Sequence, residues 1–280
     1  MLFSVRHRSC YGYSREVFVE PQTIRLRPRH DPGQRLLDFS MTITPTPDGG
    51  SEYLDAEGNQ AATIWFNRLI DQFVIETRFR VETLRSNPFD YLISEPGCES
   101  LPAAYPPGLL PALQSCLVRP DGDKLWGFTE ELREAAGDQT HDFLNRLCDR
   151  IYREFSFTSR HRGAAFTAEQ TLISRSGSCR DLAVLFIHAC RQVGLAARFV
   201  SGYQEGDPDQ DERQLHAWSE VYLPGGGWRG YDPTHGLAVS DRHIAVAASH
   251  HSSGAAPVSG GFRGTGVESR FAFELELATN

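Results

Sequence analysis

Three short segments in the C-terminal half limit the folds that this chain can adopt. An apolar segment from Cys179 to Val193 has helical periodicity and follows a Ser-Gly-Ser turn, so it predicts a helix that begins at the cysteine. The next segment predicts a strand that starts at His216, and the third predicts a strand that contains Asp232. A glycine-rich turn at residues 224–227 separates the two strands, so we expect an antiparallel hairpin beside the helix.

One thiol, one imidazole and one carboxylate thus arrive on three separate elements. A nucleophile, a base and a group that orients the base are the minimum for acyl transfer through a thioester. Unpaired N–H groups at a helix N-terminus favour the thiolate form of Cys179. His216 would be fixed at the end of a rigid strand, and Asp232, in an apolar strand, would accept its N–H. We therefore predict Cys179, His216 and Asp232 as catalytic residues.

Each of these residues also has a simpler structural interpretation. Cys179 could be a small core residue, His216 a solvated histidine and Asp232 part of an Asp-Pro turn that closes a strand. Cys190 is the useful contrast, because it lies deep inside the same helix and is expected to be an inert core residue. The order of all three segments favours the catalytic interpretation.

The remaining cysteines do not indicate a disulfide framework or a metal centre. The chain has 280 residues and six cysteines, and we see neither an export signal nor CxxC or HExxH spacing. The other histidines, His188, His235, His243, His250 and His251, are expected to be solvated or simply hydrogen-bonded, the last four in loops. We predict no metal and no cofactor.

Composition excludes several classes of partner. The chain carries 28 Lys and Arg against 36 Asp and Glu, a net charge of −8, and has no basic block, so nucleic acid and anionic membranes are not expected as main partners. No stretch approaches the roughly 18 uninterrupted apolar residues of a membrane span. The first residues become charged too early for a signal peptide, and we expect a cytoplasmic location.

The first 85 residues predict an all-β domain. From Phe73 to Val81 apolar residues occupy most odd positions and charged residues most even positions, which is the period of a strand with one buried face. Weaker alternation elsewhere, separated by Pro, Gly and Asn turns, indicates a sandwich-like domain or small barrel over residues 1–85. His7 and His30 are expected to be solvated there.

The rest of the chain divides into a linker and a second domain. Seven prolines between residues 86 and 121 preclude long helices, so residues 86–137 are predicted as a linker and surface segment. Residues 138–280 are predicted as the core that carries the three candidate residues. A capping-box pattern at Thr167–Gln170 predicts a short helix before Cys179, and alternation from Phe271 predicts a final strand. The predicted class is α+β.

The sequence around the three candidates resembles the transglutaminase-like superfamily, which is related to papain-type cysteine proteases. The resemblance covers most of the chain, since the N-terminal part, with Tyr11-Gly12-Tyr13 and Leu26-Arg27-Pro28-Arg29, is similar to the β domain that precedes this core in bacterial members. The matching segments of the core are Ser176-Gly177-Ser178-Cys179-Arg180-Asp181, Gly194 to Tyr203, His216-Ala217-Trp218-Ser219-Glu220-Val221-Tyr222 and Gly227-Trp228-Arg229-Gly230-Tyr231-Asp232-Pro233-Thr234.

The resemblance implies a papain/transglutaminase-like core, with a nucleophile helix packed on an antiparallel sheet or barrel. It implies a peptide or protein substrate with a carboxamide group, attacked by Cys179 with His216 as base and then acid and Asp232 as orienting carboxylate. An amine acceptor gives transamidation and water gives deamidation or peptide hydrolysis. A cysteine peptidase or amidase with the same triad, and a non-catalytic interaction module, remain alternatives.

Three further expectations come from the resemblance together with the residues at the matching positions. The backbone N–H of Cys179 would stabilise the oxyanion, with Gln170 as the candidate second donor. The calcium sites of animal members have no counterpart, and the acidic segment Asp207–Glu212 lacks the glycine and glutamate of an EF-hand loop, so activity is predicted to be metal-independent. Ser249–Gly254 stands where bacterial members commonly carry an Arg-Asp-aromatic stretch, which weakens the expected substrate contact there.

Overall fold

The computed structural model describes residues 1–120, 122–160, 163–206 and 214–279, and of Asp123 only the backbone. The segment that was tested above against the EF-hand pattern lies in residues 207–213, outside the described residues. The helices are α1 (Leu110–Leu113), α2 (Asp123–Ala135), α3 (Thr140–Glu154), α4 (Ala168–Ser174) and α5 (Cys179–Gln192), with short 3₁₀ turns at Pro96–Cys98, Gln114–Leu117 and Ser252–Ala255.

Most strands are short, whereas the first, third, sixth and last are long. The strands are β1 (Leu2–Val19), β2 (Gln22–Ile24), β3 (Gln34–Thr44), β4 (Gly49–Leu54), β5 (Gln60–Trp65), β6 (Ile70–Thr83), β7 (Ser156–Phe157), β8 (Ser176–Gly177), β9 (Ala197–Gln204), β10 (His216–Leu223), β11 (Gly227–Asp232), β12 (Leu237–Ala238), β13 (His243–Ser249), β14 (Val258–Ser259), β15 (Phe262–Arg263) and β16 (Ser269–Thr279).

Two antiparallel sheets form the N-terminal half-barrel. Strand β6, which carries the predicted alternation, lies between β1 and β3, and β15 and β16 pair with the other edge of β1. The second sheet has the order β14-β2-β5-β4. Apolar side chains from both sheets share one core, which includes Val19, Leu26, Phe66 and Phe73. The predicted sandwich-like β domain is therefore confirmed.

The second sheet system carries the candidate site. It has the antiparallel order β12-β11-β10-β9-β13, and β10 and β11 form the predicted hairpin. Helix α5 packs on β9 and β10 and buries Leu182, Leu185 and Phe186 in the main core. The helix ends where predicted, because Gly194 adopts a φ of 79°, which favours glycine. The α+β core with a helix on an antiparallel sheet is confirmed.

The two sheet systems share a third apolar cluster. Phe79 and Val81 of the N-terminal sheet meet Tyr203 and Val246 of the core. The phenol of Tyr203 lies 2.9 Å from Nδ1 of His7. His7 is 1% exposed, so the expectation that it is solvated was wrong, whereas His30 is exposed as expected. The buried side of β1 places His7 inward, and the alternation of Phe3, Val5 and His7 with Arg6 and Arg8 was an available signal.

Two segments make contacts outside the domains to which the sequence analysis assigned them. Strand β16 pairs with β1 over its whole length, from Phe3 with Thr279 to Tyr13 with Ser269, so the end of the 138–280 segment completes the N-terminal sheet. Helix α2, inside the segment expected to be a linker, buries Leu125 and Phe128 in the core beside α5. Sequence alternation identified the last strand but not its partner, because the pairing is long-range.

The proline-rich segment before α2 packs along the core surface. Its helices are only three or four residues long, as the prolines require. The phenol of Tyr105 accepts the Ala196 N–H at 3.0 Å and donates to the Tyr222 carbonyl at 2.7 Å. Within the described ranges, no helix has the length and apolarity needed to cross a membrane.

Candidate active site

Cys179 is the first residue of α5, and a buried carboxylate organises the turn before it. Asp181 accepts the backbone N–H and the hydroxyl of Ser178, each at 2.7 Å. It also accepts the Phe166 N–H at 2.7 Å and a guanidinium N–H of Arg160 at 2.6 Å. Burial raises the pKa of Asp181, but these hydrogen bonds outweigh burial and hold the pKa below its ordinary value. These hydrogen bonds therefore fix the start of α5 before and after Cys179.

Steric contact with Asp181 explains why residue 177 is glycine. A Cβ atom at Gly177 would lie 2.7 Å from Cβ of Asp181, closer than real Cβ contacts allow. Glycine thus lets the capping carboxylate fold back over the turn. The thiol of Cys179 is half-buried, whereas Cys190 on the same helix is completely buried, as predicted.

His216 begins β10 and points one ring nitrogen at Asp232. Its Nε2 lies 2.7 Å from Oδ2 of Asp232. Burial lowers the pKa of His216, but the charge and hydrogen bond of Asp232, together with a hydrogen bond to Cys179, raise it to about 10. The ring is therefore held as an imidazolium at neutral pH, between the carboxylate and the thiol.

Asp232 is completely buried and accepts two further imidazoles. Nδ1 of His235 lies 2.7 Å and Nε2 of His243 lies 3.0 Å from the same Oδ2 atom that meets His216. The Thr234 N–H donates to Oδ1 at 3.0 Å. Burial raises the pKa of Asp232, yet the three histidines together hold it well below its ordinary range. The carboxylate is ionised and fully hydrogen-bonded.

His235 and His243 are the site residues that sequence reasoning missed. We expected both in loops, but His243 begins β13 and is buried. Burial lowers its pKa, an effect that the Asp232 hydrogen bond offsets only in part, so the ring is neutral and donates its Nε2–H. Proximity of His235 to Asp232 along the chain was an available signal. No local signal existed for His243, because the pairing of β13 with β9 places it there.

These side chains were tested as a metal centre. Ligand atoms of His216, Asp232 and His243 lie within 4.8 Å of one another, close enough to hold an ion. Each imidazole nitrogen, however, already faces the carboxylate at 2.7–3.0 Å, and a metal would require it to give up that N–H. The arrangement fits a hydrogen-bonded network, and metal-independent activity stays a prediction.

A cleft of about 770 Å³ opens beside Cys179 and His216. One wall comes from the core, including Arg180 and Phe166, and the other from the N-terminal half-barrel, including Tyr11. Cys179 and His216 therefore line one accessible cleft between the two sheet systems, and Asp232 lies buried behind the imidazole.

Two expectations about neighbouring residues change. Oε1 of Gln170 accepts the Thr167 N–H at 2.9 Å, so the predicted capping box is present and uses this side chain. Gln170 is not among the described residues that line the cleft, so the structure gives no support to the expectation that it donates to an oxyanion. His250 and His251, in the segment that departs from the bacterial pattern, do line the cleft.

The fold and the site define a papain-like α+β protein with a cysteine, a histidine and an aspartate at an interdomain cleft. Residues 3–82 match the bacterial transglutaminase-like N-terminal region, and residues 127–233 match the transglutaminase-like superfamily core. The chain belongs to the transglutaminase-like superfamily and carries its bacterial N-terminal region.

Similar proteins agree with this membership. An uncharacterized protein of Mycobacterium tuberculosis H37Rv is 29% identical over 92% of this chain and 86% of its own length. A protein-glutamine gamma-glutamyltransferase of Pseudomonas aeruginosa is 32% identical over 39% of this chain and 18% of its own. A proposed cysteine protease from Cytophaga hutchinsonii has the same fold, with a TM-score of 0.74, 21% identity and coverage of 99% of this chain and 90% of that one.

Proposed function

We propose that this protein is a cysteine-dependent acyltransferase that acts on amide groups of peptides or proteins through a thioester on Cys179. One observation carries the proposal. The His216 ring lies between the buried Asp232 carboxylate, 2.7 Å from Nε2, and the thiol at the start of α5, and both the ring and the thiol line the cleft. A charged imidazole beside a thiol at a helix N-terminus is the arrangement that makes a cysteine nucleophilic near neutral pH.

In the first half-reaction the Cys179 thiolate attacks the carbonyl carbon of a carboxamide. The negative charge moves to the carbonyl oxygen, where the backbone N–H of Cys179, which has no acceptor inside its helix, can stabilise it. The C–N bond then breaks, and the proton on Nδ1 of His216 goes to the departing nitrogen. Ammonia or an amine leaves, and the acyl group remains on sulfur.

In the second half-reaction the acceptor attacks the thioester. Neutral His216 removes a proton from water or from an amine, the C–S bond breaks, and the thiolate and imidazolium are restored. Water gives deamidation or hydrolysis, and an amine gives transamidation. Asp232 remains ionised throughout and fixes the ring orientation. The partial similarity to the Pseudomonas glutamyltransferase supports a glutamine carboxamide as donor.

The proposal is tested by product analysis. The protein is incubated with a glutamine peptide, with and without a primary amine, and intact-protein and peptide masses are recorded. We expect an acyl-enzyme, ammonia release, and either amine incorporation or conversion of glutamine to glutamate. The Cys179→Ala variant should give none of these. Cleavage of the peptide backbone instead would favour the cysteine peptidase alternative.

A second measurement separates an enzyme from a non-catalytic interaction module. Cys179 should react with iodoacetamide at pH 6 much faster than a model thiol, because the imidazolium stabilises the thiolate. Reaction at the rate of a model thiol, together with the absence of any acyl-enzyme, would contradict the enzymatic proposal.

A further inference from the structure

The cleft beside Cys179 differs in charge from the chain as a whole. Among the described residues that line it, none is Asp, Glu or Lys, whereas the sequence contains 36 Asp and Glu. Its charged side chains other than histidine are three arginines, Arg160, Arg180 and Arg270. The described part of the cleft is therefore a cationic surface on an acidic protein.

The three arginines differ in how their charge is compensated. Arg160 pairs with the buried Asp181 at 2.6 Å. Arg180, next to the nucleophile, donates instead to two backbone carbonyl groups, Gly163 at 2.7 Å and Arg160 at 2.5 Å. Among the described residues no carboxylate lies within salt-bridge distance of Arg180 or Arg270.

Arg180 is also partly removed from water. Burial lowers its pKa and the neighbouring Arg160 charge lowers it further, while the Cys179 and Asp181 charges offset this only in part. A half-buried guanidinium that has no carboxylate partner among the described residues is costly unless a ligand supplies one. Its five N–H donors exceed the two carbonyl groups that it meets, so donors remain for a bound anion.

The opposite wall of the cleft is aromatic. Tyr11 and Tyr13 of β1 pack against Phe271 and Phe262, with ring centroids 5.0 Å and 4.7 Å apart. Phe273 continues this row, and all five rings are half-buried and line the cleft. We call these five residues the aromatic wall. Half-buried rings offer apolar area to a ligand at little cost in side-chain entropy.

We propose that the cleft selects an acidic peptide as acyl donor, with a carboxylate near the attacked carboxamide that pairs with Arg180 and a large apolar side chain that packs on the aromatic wall. The inference rests on the proposed thioester chemistry and adds the substrate class. It also gives the N-terminal half-barrel a direct part in substrate recognition, because the aromatic wall belongs to its sheet.

The test uses a set of blocked peptides with one central glutamine. One neighbouring position is Glu, Met or Lys, and another is Phe or Ala. Binding to the Cys179→Ala variant is measured by fluorescence anisotropy at low and high salt, and acyl-enzyme formation on the wild type is measured by intact mass. We expect the Glu peptide to bind about tenfold more tightly than the Met peptide, with the advantage reduced by salt, and the Lys peptide to bind most weakly.

Variants assign the effect to residues. Arg180→Gln should remove the preference for Glu but keep the preference for Phe. Arg180→Lys should keep most of the preference for Glu. Phe271→Ala should remove the preference for Phe but keep the preference for Glu. Arg146→Gln is the control, since Arg146 forms an exposed pair with Asp142 on α3 and does not line the cleft. If Arg180→Gln fails to fold, Arg180→Lys, Arg270→Gln and the salt dependence of the wild type still test whether the cleft selects an acidic peptide.

The outcomes separate the two proposals. Equal binding of the Glu and Met peptides, a preference for Lys, or no binding of any peptide overturns the inference about the acidic donor. A clear preference for Glu in binding without any acyl-enzyme overturns the proposed chemistry and supports an anion-binding site at the cleft. An acyl-enzyme that forms without any charge preference supports the chemistry and overturns the acidic donor.

Discussion

Nε2 of His216 and Oδ2 of Asp232 lie 2.7 Å apart although the two residues are not directly opposite in their hairpin. The register pairs Ser219 with Tyr231, so His216 and Asp232 are diagonal neighbours on one face. Diagonal positions are within reach of long side chains. The pair therefore forms at the open end of the hairpin, far from its turn, and the other side of the imidazole remains directed at Cys179.

The raised pKa of His216 predicts that the protein loses stability in alkaline solution. Unfolded histidine releases its proton near pH 6.5, whereas the folded protein holds it to about pH 10. The stabilisation is complete below pH 6.5 and is lost as pH rises toward 10, because the folded state binds the extra proton in this window. The free energy of unfolding should fall by up to about 1.4 kcal/mol per pH unit there.

Urea denaturation between pH 7 and 9 measures this slope. His216→Gln should flatten the slope, and Asp232→Asn should reduce it, because the carboxylate is the main group that raises the pKa. An unchanged slope in His216→Gln would show that other groups cause it.

We predict that His243 positions the Asp232 carboxylate without contacting substrate. Its neutral ring donates to Oδ2 of Asp232 at 3.0 Å, and His243→Phe keeps the ring volume but removes the donor. We expect kcat to fall by about tenfold with little change in KM, and the pH dependence of Cys179 alkylation to shift. A purely structural role would lower stability and leave the alkylation profile unchanged.

The buried Asp181 carboxylate that caps helix α5 should be essential to stability. Asp181→Asn removes the charge that Arg160 pairs with and places an amide N–H₂ group against the Ser178 N–H. We expect a loss of about 2 to 4 kcal/mol in the free energy of unfolding. Asp142→Asn breaks an exposed pair with Arg146 and should cost no more than about 0.5 kcal/mol, so equal effects would contradict the prediction.

Gly202 lies opposite His216 on the neighbouring strand β9, at a position without room for a side chain. The two residues are partners in the β9–β10 register, and a Cβ atom at Gly202 would collide with the Ile244 carbonyl and the Trp218 ring. Gly202→Ala should cost about 2 to 3 kcal/mol and slow Cys179 alkylation. Gly127→Ala, at an exposed position of helix α2 with open space around it, should instead stabilise the protein by about 0.5 to 1 kcal/mol in thermal denaturation.

The two cysteines of α5 should separate function from stability. Cys190 is completely buried, so Cys190→Ala leaves a small cavity and should cost about 1 to 2 kcal/mol while acyl-enzyme formation persists. Cys179→Ala should keep nearly full stability and form no acyl-enzyme. Loss of acylation in Cys190→Ala at a temperature where it is folded would argue against this division.

Local sequence patterns were sufficient for the elements that carry the site. The glycine-rich turn specified the β10–β11 hairpin, and Gly194 marked the end of α5. The hairpin implies that His216 and Asp232 approach one another, whereas the place of Cys179 beside them follows from the packing of α5 on β9 and β10. The residue types themselves then suggested the chemistry, which stays a prediction until it is measured.

Features that depend on distant strands could not be predicted in the same way. The hydrogen bond between His7 and Tyr203 joins residues that are 196 positions apart, and β16 pairs with a strand at the other end of the chain. Alternation identifies a strand and its buried face but carries no information about its partner. The contacts of His243 and the aromatic wall escaped prediction for the same reason.

The pairing of β16 with β1 has a consequence for biosynthesis. Tyr11 leaves the ribosome long before Phe271, yet the two rings form adjoining parts of one surface. A nascent chain that already exposes Cys179 still lacks the three phenylalanine rings of the aromatic wall. The cleft beside Cys179 is thus complete only after β16 has been synthesised, so a shorter nascent chain carries the thiol without the full aromatic wall.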